Sequence, residues 1–455
     1  MKNLSRAQTK KALDYSVMDG TAEAVRTGIT GKYLVPFALA LGAGNEYIGL
    51  INALPELIRT ITQAFTSKVL ERFKSRKYVC ILSATIQRLF WLPILLIPFL
   101  FAGNLWWLMF FVCLFYSFSA FTSTAWTSWI ADLVPEKIRG RFFGKRNMFI
   151  DSATFFSALL AGWYLASIKN TIGGFSIIFL ISLFFGFVSI YFLAKIPDVK
   201  QKTSHHKTRF SFAHFIHGVE EHKDHSNFVI FMTLTRFAVS FVSIFFTVYM
   251  LNVLKIGYLW FGIVVGAEMI VRIATQKYWG KLSDRFDDKR ILKICYIGVP
   301  LTPFLWMFVS TPIQAVIVSV ITGFFWCGFD LSTFNYLLDS TPRSNPIPFI
   351  SNYRFLTGIS NFIGPVLGGI TAVYLADKTF LFLEGMQILF LFGFILRSIP
   401  ALMLNRFHNI RIKRKVSYSD LFLKAVALYP LEAVEHAIEH AIHYITEMQQ
   451  KIVKK

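Results

Sequence analysis

The sequence predicts an all-α, polytopic membrane protein of about twelve transmembrane helices in two pseudo-symmetric six-helix bundles. Three observations carry that expectation. Hydrophobic residues fill 55% of the 455 positions and charged residues 16%, where a soluble chain of this size needs about 25% charged residues to clothe its surface. Lysine and arginine gather in alternate loops. A stretch of the first half, charges included, recurs in the second.

Taken in order, residues 1–16 are basic and polar, with no short apolar core ahead of a cleavage site, and are expected to remain uncleaved in the cytoplasm. Apolar runs then place spans at 17–42, 45–69, 78–102, 105–132, 147–168 and 172–195, giving a first bundle over 17–195. A second set at 227–252, 257–280, 291–310, 313–339, 352–376 and 380–404 gives a bundle over 227–404. Such lengths cross about 30 Å of hydrocarbon at 1.5 Å per residue, with room to tilt.

Loops after even-numbered spans carry KVLERFKSRK, PEKIRGRFFGKR, the segment 196–226, GKLSDRFDDKR and TPRSNP, whereas the others hold Lys169, Lys255 and Lys378. The basic side is read as cytoplasmic, with both termini inside a cell membrane. Trp106, Trp107, Trp163 and Trp260 fall near the opposite ends, as an interfacial aromatic belt places them. The formal charge of +21 follows this alternation, so no nucleic-acid partner is expected.

The linker 196–226 reads as a solvated segment with an interfacial helix around 209–222. Its six histidines between His205 and His225 leave metal binding as the weaker alternative. The segment 405–455 reads as a cytoplasmic tail. In it Val434, Ile438, Ala441, Ile445, Met448 and Ile452 recur at helical spacing, with His436, His440 and His443 on another face. Cys80, Cys113, Cys295 and Cys327 lie in apolar spans without a C-x-x-C pair, so neither a metal site nor a disulfide framework is indicated.

The duplication is readable residue by residue. An offset of 213 takes Gly49 to Gly262, Arg59 to Arg272, Thr62 to Thr275, Gln63 to Gln276, Glu71 to Asp284 and Arg72 to Arg285. An offset of 207 takes Asp132 to Asp339 and Pro135 to Pro342. Apolar composition alone matches Leu and Phe, not Arg, Gln and Gly. Two halves of even span number in one orientation are related by an axis along the membrane normal, with a site near mid-membrane between them.

In GKLSDRFDDKR, residues Gly280, Asp284, Arg285, Lys289 and Arg290 resemble the signature loop between the second and third spans of each half in the major facilitator superfamily. The first copy, SKVLERFKSRK, departs from it with Ser67 for Gly and Glu71 for Asp. Both copies lack the second Gly and place the closing basic pair one residue late. ADLVPEKIRGRFFGKRN is similar to the family's loop between the fourth and fifth spans. The resemblance covers residues 15–405 and implies a twelve-span transporter fold.

A turn linking two helices needs Gly280 for close packing. Glu71 or Asp284 can face the positive end of a neighbouring helix and pair with an arginine, Arg146 and Arg354 being the candidates. With Arg72, Arg285, Asp132 and Asp339 these form the expected cytoplasmic gate, made in one state and broken in the other. Positive-inside topology and helix capping account for the same residues without a gate.

Charges inside the spans mark the candidate cavity, because an ionisable group at the bilayer centre costs roughly 2.5–3.5 kcal/mol on insertion scales. Asp19, Glu23, Arg26 and Thr30 share one face of the first span. Glu56 and Arg59 lie about 16–21 Å down the second span, with Gln63 beyond them. Glu268, Arg272 and Gln276 stand likewise in the eighth. Arg236 and Asp330 are single charges in spans seven and ten, and Asn335 and Asn361 add polar groups. Arginine forks suit an anionic or carboxylate-bearing solute. Burial favours protonation of a carboxylate and a nearby arginine opposes it, so these acids are candidates to carry a proton. The competing account is that Glu23/Arg26, Glu56/Arg59 and Glu268/Arg272 neutralise each other within one helix.

The expectation is therefore a secondary active transporter of a small polar or anionic solute by alternating access, monomeric, in contact with lipid, with H+ as candidate coupling ion. Export of amphipathic compounds is one alternative, and a non-transporting receptor or scaffold on the same fold is the other. No G-x-x-x-x-G-K-[ST], nucleophile elbow or H-E-x-x-H occurs, so neither an enzyme nor a cofactor is expected.

Overall fold

The computed structural model describes residues 5–73, 75–101, 103–135, 139–169, 171–198, 223–285, 288–340, 346–381 and 383–406. The interfacial helix expected at 209–222 and the tail helix with its histidines lie outside the described residues.

A helix or a helix pair stands at each of the twelve expected spans. The first bundle holds α1 (Arg6–Ala40), α2 (Asn45–Arg72), α3 (Arg76–Leu89) continued by α4 (Trp91–Leu100), α5 (Leu105–Leu133), α6 (Arg139–Ser167) and α7 (Thr171–Lys195). The second opens with α8 (Lys223–Ser243), α9 (Phe245–Val248) and a π-helical turn, Tyr249–Val253. It goes on through α10 (Tyr258–Arg285), α11 (Asp288–Tyr296) with α12 (Gly298–Trp306), α13 (Pro312–Ser340), α14 (Pro346–Leu375), and α15 (Met386–Ser398) ending in a 3₁₀ stretch, Ile399–Asn405. A two-residue hairpin, Thr379–Phe380 with Leu383–Glu384, precedes α15.

Nine spans among the described residues are long and apolar enough to cross a membrane. The others are α1 and α2, laced with charge, and the interrupted pair α11–α12. Local signals fix several starts. Ser5 and Gln8 form a capping box on α1, and the Asn104 side chain accepts from Trp106 N at 2.9 Å to start α5. Both third spans break at equivalent places, after Phe90 and at Ile297, which the 207 offset superposes. Pro93 and Pro300 stand three residues beyond each break. Each removes a backbone donor and crowds the carbonyl four residues back, so the helix parts there.

The packing repeats as the sequence does. α1 packs on α6 and α7, α2 on α5, and α5 on α3; equivalently α8 packs on α14 and α15, α10 on α13, and α13 on α11 and α12. The bundles meet along α2 with α14 and α6 with α10, two contacts that the pseudo-two-fold exchanges.

Where they meet is uneven. At the end poor in lysine and arginine, one buried core runs through both bundles and includes Tyr33, Phe37, Ile48, Phe175, Phe245, Phe261 and Leu389. Towards the basic end the core divides in two, one part around Trp129 and Leu133, the other around Phe231, Trp279 and Tyr296. The lysine-poor end is closed by backbone approach. A Cβ on Gly369 would stand 3.1 Å from Asn45 O and 3.4 Å from Gly49 Cα. One on Gly162 would stand 2.7 Å from Tyr258 O and 3.5 Å from Gly262 Cα. The offsets take Gly49 to Gly262 and Gly162 to Gly369, so the two crossings are copies of one another.

Candidate functional site

Among the described residues two cavities hold the charged groups, one within the first bundle and one walled chiefly by the second with Asp151 of the first. The larger, about 610 Å³, is lined by Asp19, Glu23, Arg26, Glu56, Arg59 and Arg146, together with Gln87, Arg88, Tyr116 and Trp126. The smaller, about 310 Å³, is lined by Arg272, Gln276, Asp330 and Asp151, with Met269, Ile273, Cys327, Leu331 and Phe334 as its apolar wall.

In the larger cavity α1 presents its charged face to α3 and α7. Glu23 carries two guanidiniums, Arg26 at 2.6 Å and Arg88 at 2.8 Å. Arg88 Nη2 also donates to Ser189 Oγ at 3.0 Å, and Ser189 Oγ donates to Asp19 Oδ1 at 2.7 Å. Arg26, Arg88 and Asp19 are nearly inaccessible. Arg59 pairs with Glu56 one turn before it on α2, through both its Nε and Nη2.

In the smaller cavity Arg272 Nη2 donates to Asp330 Oδ2 at 2.6 Å and stands 3.8 Å from Glu268. Arg236 approaches the other oxygen of Asp330 at 3.9 Å. One carboxylate therefore ties α8, α10 and α13. All four groups are about a third exposed. Asn335 donates to Ser283 Oγ at 2.8 Å within the second bundle, and among the described residues Gln63 and Asn335 line neither cavity.

Of the expected gate residues, Asp132, Arg146, Gly280 and Arg354 are described. Asp132 pairs with Arg76 of its own bundle at 2.8 Å. Arg146 lines the larger cavity: it lies over the Trp126 ring at 4.5 Å, and its Nε donates to Ser16 O at 3.2 Å. Arg354 is exposed. Among the described residues a Cβ on Gly280 would meet nothing within 4 Å, and the close packing expected of that glycine is not seen there. The side chains of Glu71, Arg72, Asp284, Arg285 and Asp339 lie outside the described residues.

Arg88, Ser189 and Asp151 were not singled out by sequence. Arg88 is the single cation of an apolar run, the same signal that marked Arg236, but it was absorbed into the span count.

A family profile described as Major Facilitator Superfamily matches residues 25–275 and 228–406. A "Staphyloferrin B transporter" of Staphylococcus aureus (strain NCTC 8325 / PS 47) is 26% identical over 123 residues, 27% of this chain and 29% of that protein. A Staphylococcus aureus (strain COL) protein whose name proposes a proline/betaine transporter is 26% identical over 269 residues, 55% of each chain. The match thus spans about half or less of the length of these curated relatives. Among solved structures, a variant of the nucleoside transporter NupG superposes with a TM-score of 0.67 at 14% identity, covering 86% of this chain and 99% of that one.

Proposed function

The chain belongs to the major facilitator superfamily, and from that premise we propose that it is a secondary active transporter of a small polar or anionic solute, working by alternating access. One observation carries the reading. Arg59 and Arg272, equivalent under the duplication, each line a cavity beside a carboxylate of the same bundle. A guanidinium paired to a carboxylate can exchange it for the carboxylate of a solute, and its planar fork suits that group. Proline and betaine, in the name proposed for one relative, both bear a carboxylate, which agrees with this class.

With the basic end cytoplasmic by charge bias, both termini lie inside the cell membrane, and the conformer is open to the cytoplasm. The bundles over 17–195 and 227–404, joined through 196–226, rock about the crossings at Gly49–Gly369 and Gly162–Gly262. Asp19, Glu23, Glu56, Glu268 and Asp330 are the acids through which a proton could be coupled.

A second reading, export of amphipathic compounds, is favoured by the wall of Met269, Ile273, Leu331 and Phe334 beside Arg272.

Uptake into proteoliposomes tests the first reading. Arg59→Ala and Arg272→Ala are each expected to lower apparent solute affinity by about tenfold or more, the cost of a lost charge-assisted hydrogen bond. Unchanged uptake and saturation in both variants would remove them as solute contacts. Flux that ignores an imposed pH gradient removes the proton.

A further inference from the structure

Asp151 belongs to none of the assignments above. It stands half-buried on α6, in the first bundle, yet it walls the smaller cavity with Arg272 and Asp330 of the second. α6 and α10 touch backbone to backbone at Gly162 and Gly262. From that crossing Asp151 lies eleven residues towards the basic end along α6, and Arg272 lies ten along α10. At 1.5 Å per residue these are about 16 and 15 Å, the same depth. A carboxylate and a guanidinium thus stand at matching heights on the two arms of one crossing. In this conformer Arg272 uses Asp330 and Glu268, both of its own bundle, and no ion pair within 4 Å joins it to Asp151 among the described residues.

The other crossing carries no such acid. The duplicate of Arg272 is Arg59, and the 207 offset takes Asp151 to Gly358. A Cβ on Gly358 would meet Thr60 of α2 at 3.5 Å, and the glycine itself offers no charge to Arg59. The cross-bundle carboxylate is a feature of α6 and α10 alone.

We infer that Asp151 is the internal competitor of the solute at Arg272, a positioning residue whose role rests on the transporter reading above. With the cavity empty, closure of the basic end brings α6 onto α10, and Arg272 exchanges Asp330 for Asp151. An anionic solute on Arg272 takes that place instead. The Asp151–Arg272 pair exists in the closed state alone, so it biases the equilibrium between states by its full worth. The solute class follows: a group that displaces a carboxylate from a guanidinium is itself an anion.

The experiment needs no solute. Spin labels at Lys145→Cys and Lys281→Cys, exposed positions on the basic ends of α6 and α10, are placed in a background with Cys80, Cys113, Cys295 and Cys327 replaced by alanine. Pulsed dipolar spectroscopy in lipid nanodiscs then reads the distance distribution. Asp151→Asn is expected to raise the ratio of long-distance to short-distance populations roughly fivefold, the size of one partly exposed ion pair. Asp151→Glu is expected to stay near the parent, and Asp151→Asn in an Arg272→Gln background to add no further shift. Two populations indifferent to Asp151→Asn, or an equal shift in the Arg272→Gln background, overturn the inference alone. A single invariant distance in every variant overturns alternating access and the inference with it.

Discussion

The junction of the first, third and sixth spans and that of the seventh, ninth and twelfth occupy equivalent places in the two bundles, and each buries an arginine. In the first it is Arg88 of α3, bonded to Glu23, Ser189 and the Ala84 carbonyl. In the second it is Arg397 of α15, 1% exposed, which donates to the carbonyls of Val299 and Val239 at 3.2 Å and to Ser243 Oγ at 3.0 Å. Among the described residues no carboxylate pairs with Arg397. Both bundles thus carry a polar cross-link between three helices, built from arginines on different spans and with different chemistry. In the first bundle the cross-link is ionic, shared with Arg26 and Asp19, and open to a cavity. In the second it is a closed strut made with backbone oxygen, remote from either cavity. A group that is to change partners during transport belongs to the first kind, and a group that holds a bundle rigid belongs to the second.

The comparison breaks most readily at Glu23. Glu23→Ala leaves Arg26 and Arg88 buried without their counter-charge, and is expected to cost about 3–5 kcal/mol in thermal unfolding of the purified protein. Arg397→Ala strands three acceptors but no charge, and should cost about 2–3 kcal/mol. An equal or larger loss for Arg397→Ala would erase the distinction between an arginine held by a carboxylate and one held by uncharged oxygen. Lys195, at the end of α7, lies 4.1 Å over the Tyr191 ring and outside the Arg88 network. Lys195→Ala should cost less than about 0.5 kcal/mol. A loss comparable to that at Glu23 would mean that the network reaches the surface.

Much of the fold was legible in the sequence because apolar runs of bilayer length and basic loops report the same periodicity twice. The charged face of α1 and the Arg59–Arg272 correspondence were legible because polar residues stand out at helical spacing or at a fixed offset. What could not be read was tertiary. Arg88 meets Glu23 across 65 positions and Arg272 meets Asp330 across 58, and no local spacing encodes either. Arg397 and Asp151 each sit in runs whose neighbours are apolar, so a count of hydrophobic windows passes over them. The breaks in the third spans left a sign in Pro93 and Pro300, but the π-helical turn at Tyr249–Val253 left none.

The lysine-poor end is held by glycine backbones and by rings, Tyr33 edge-on to Phe261 at 5.6 Å and Phe175 to Tyr258 at 5.5 Å, with no ion pair at that level among the described residues. Prising that face apart ruptures only dispersion contacts, each feeble alone. Its tightness is a question of fit, indifferent to ionic strength, and one methyl group added at Gly162 or Gly369 would wedge the hinge ajar.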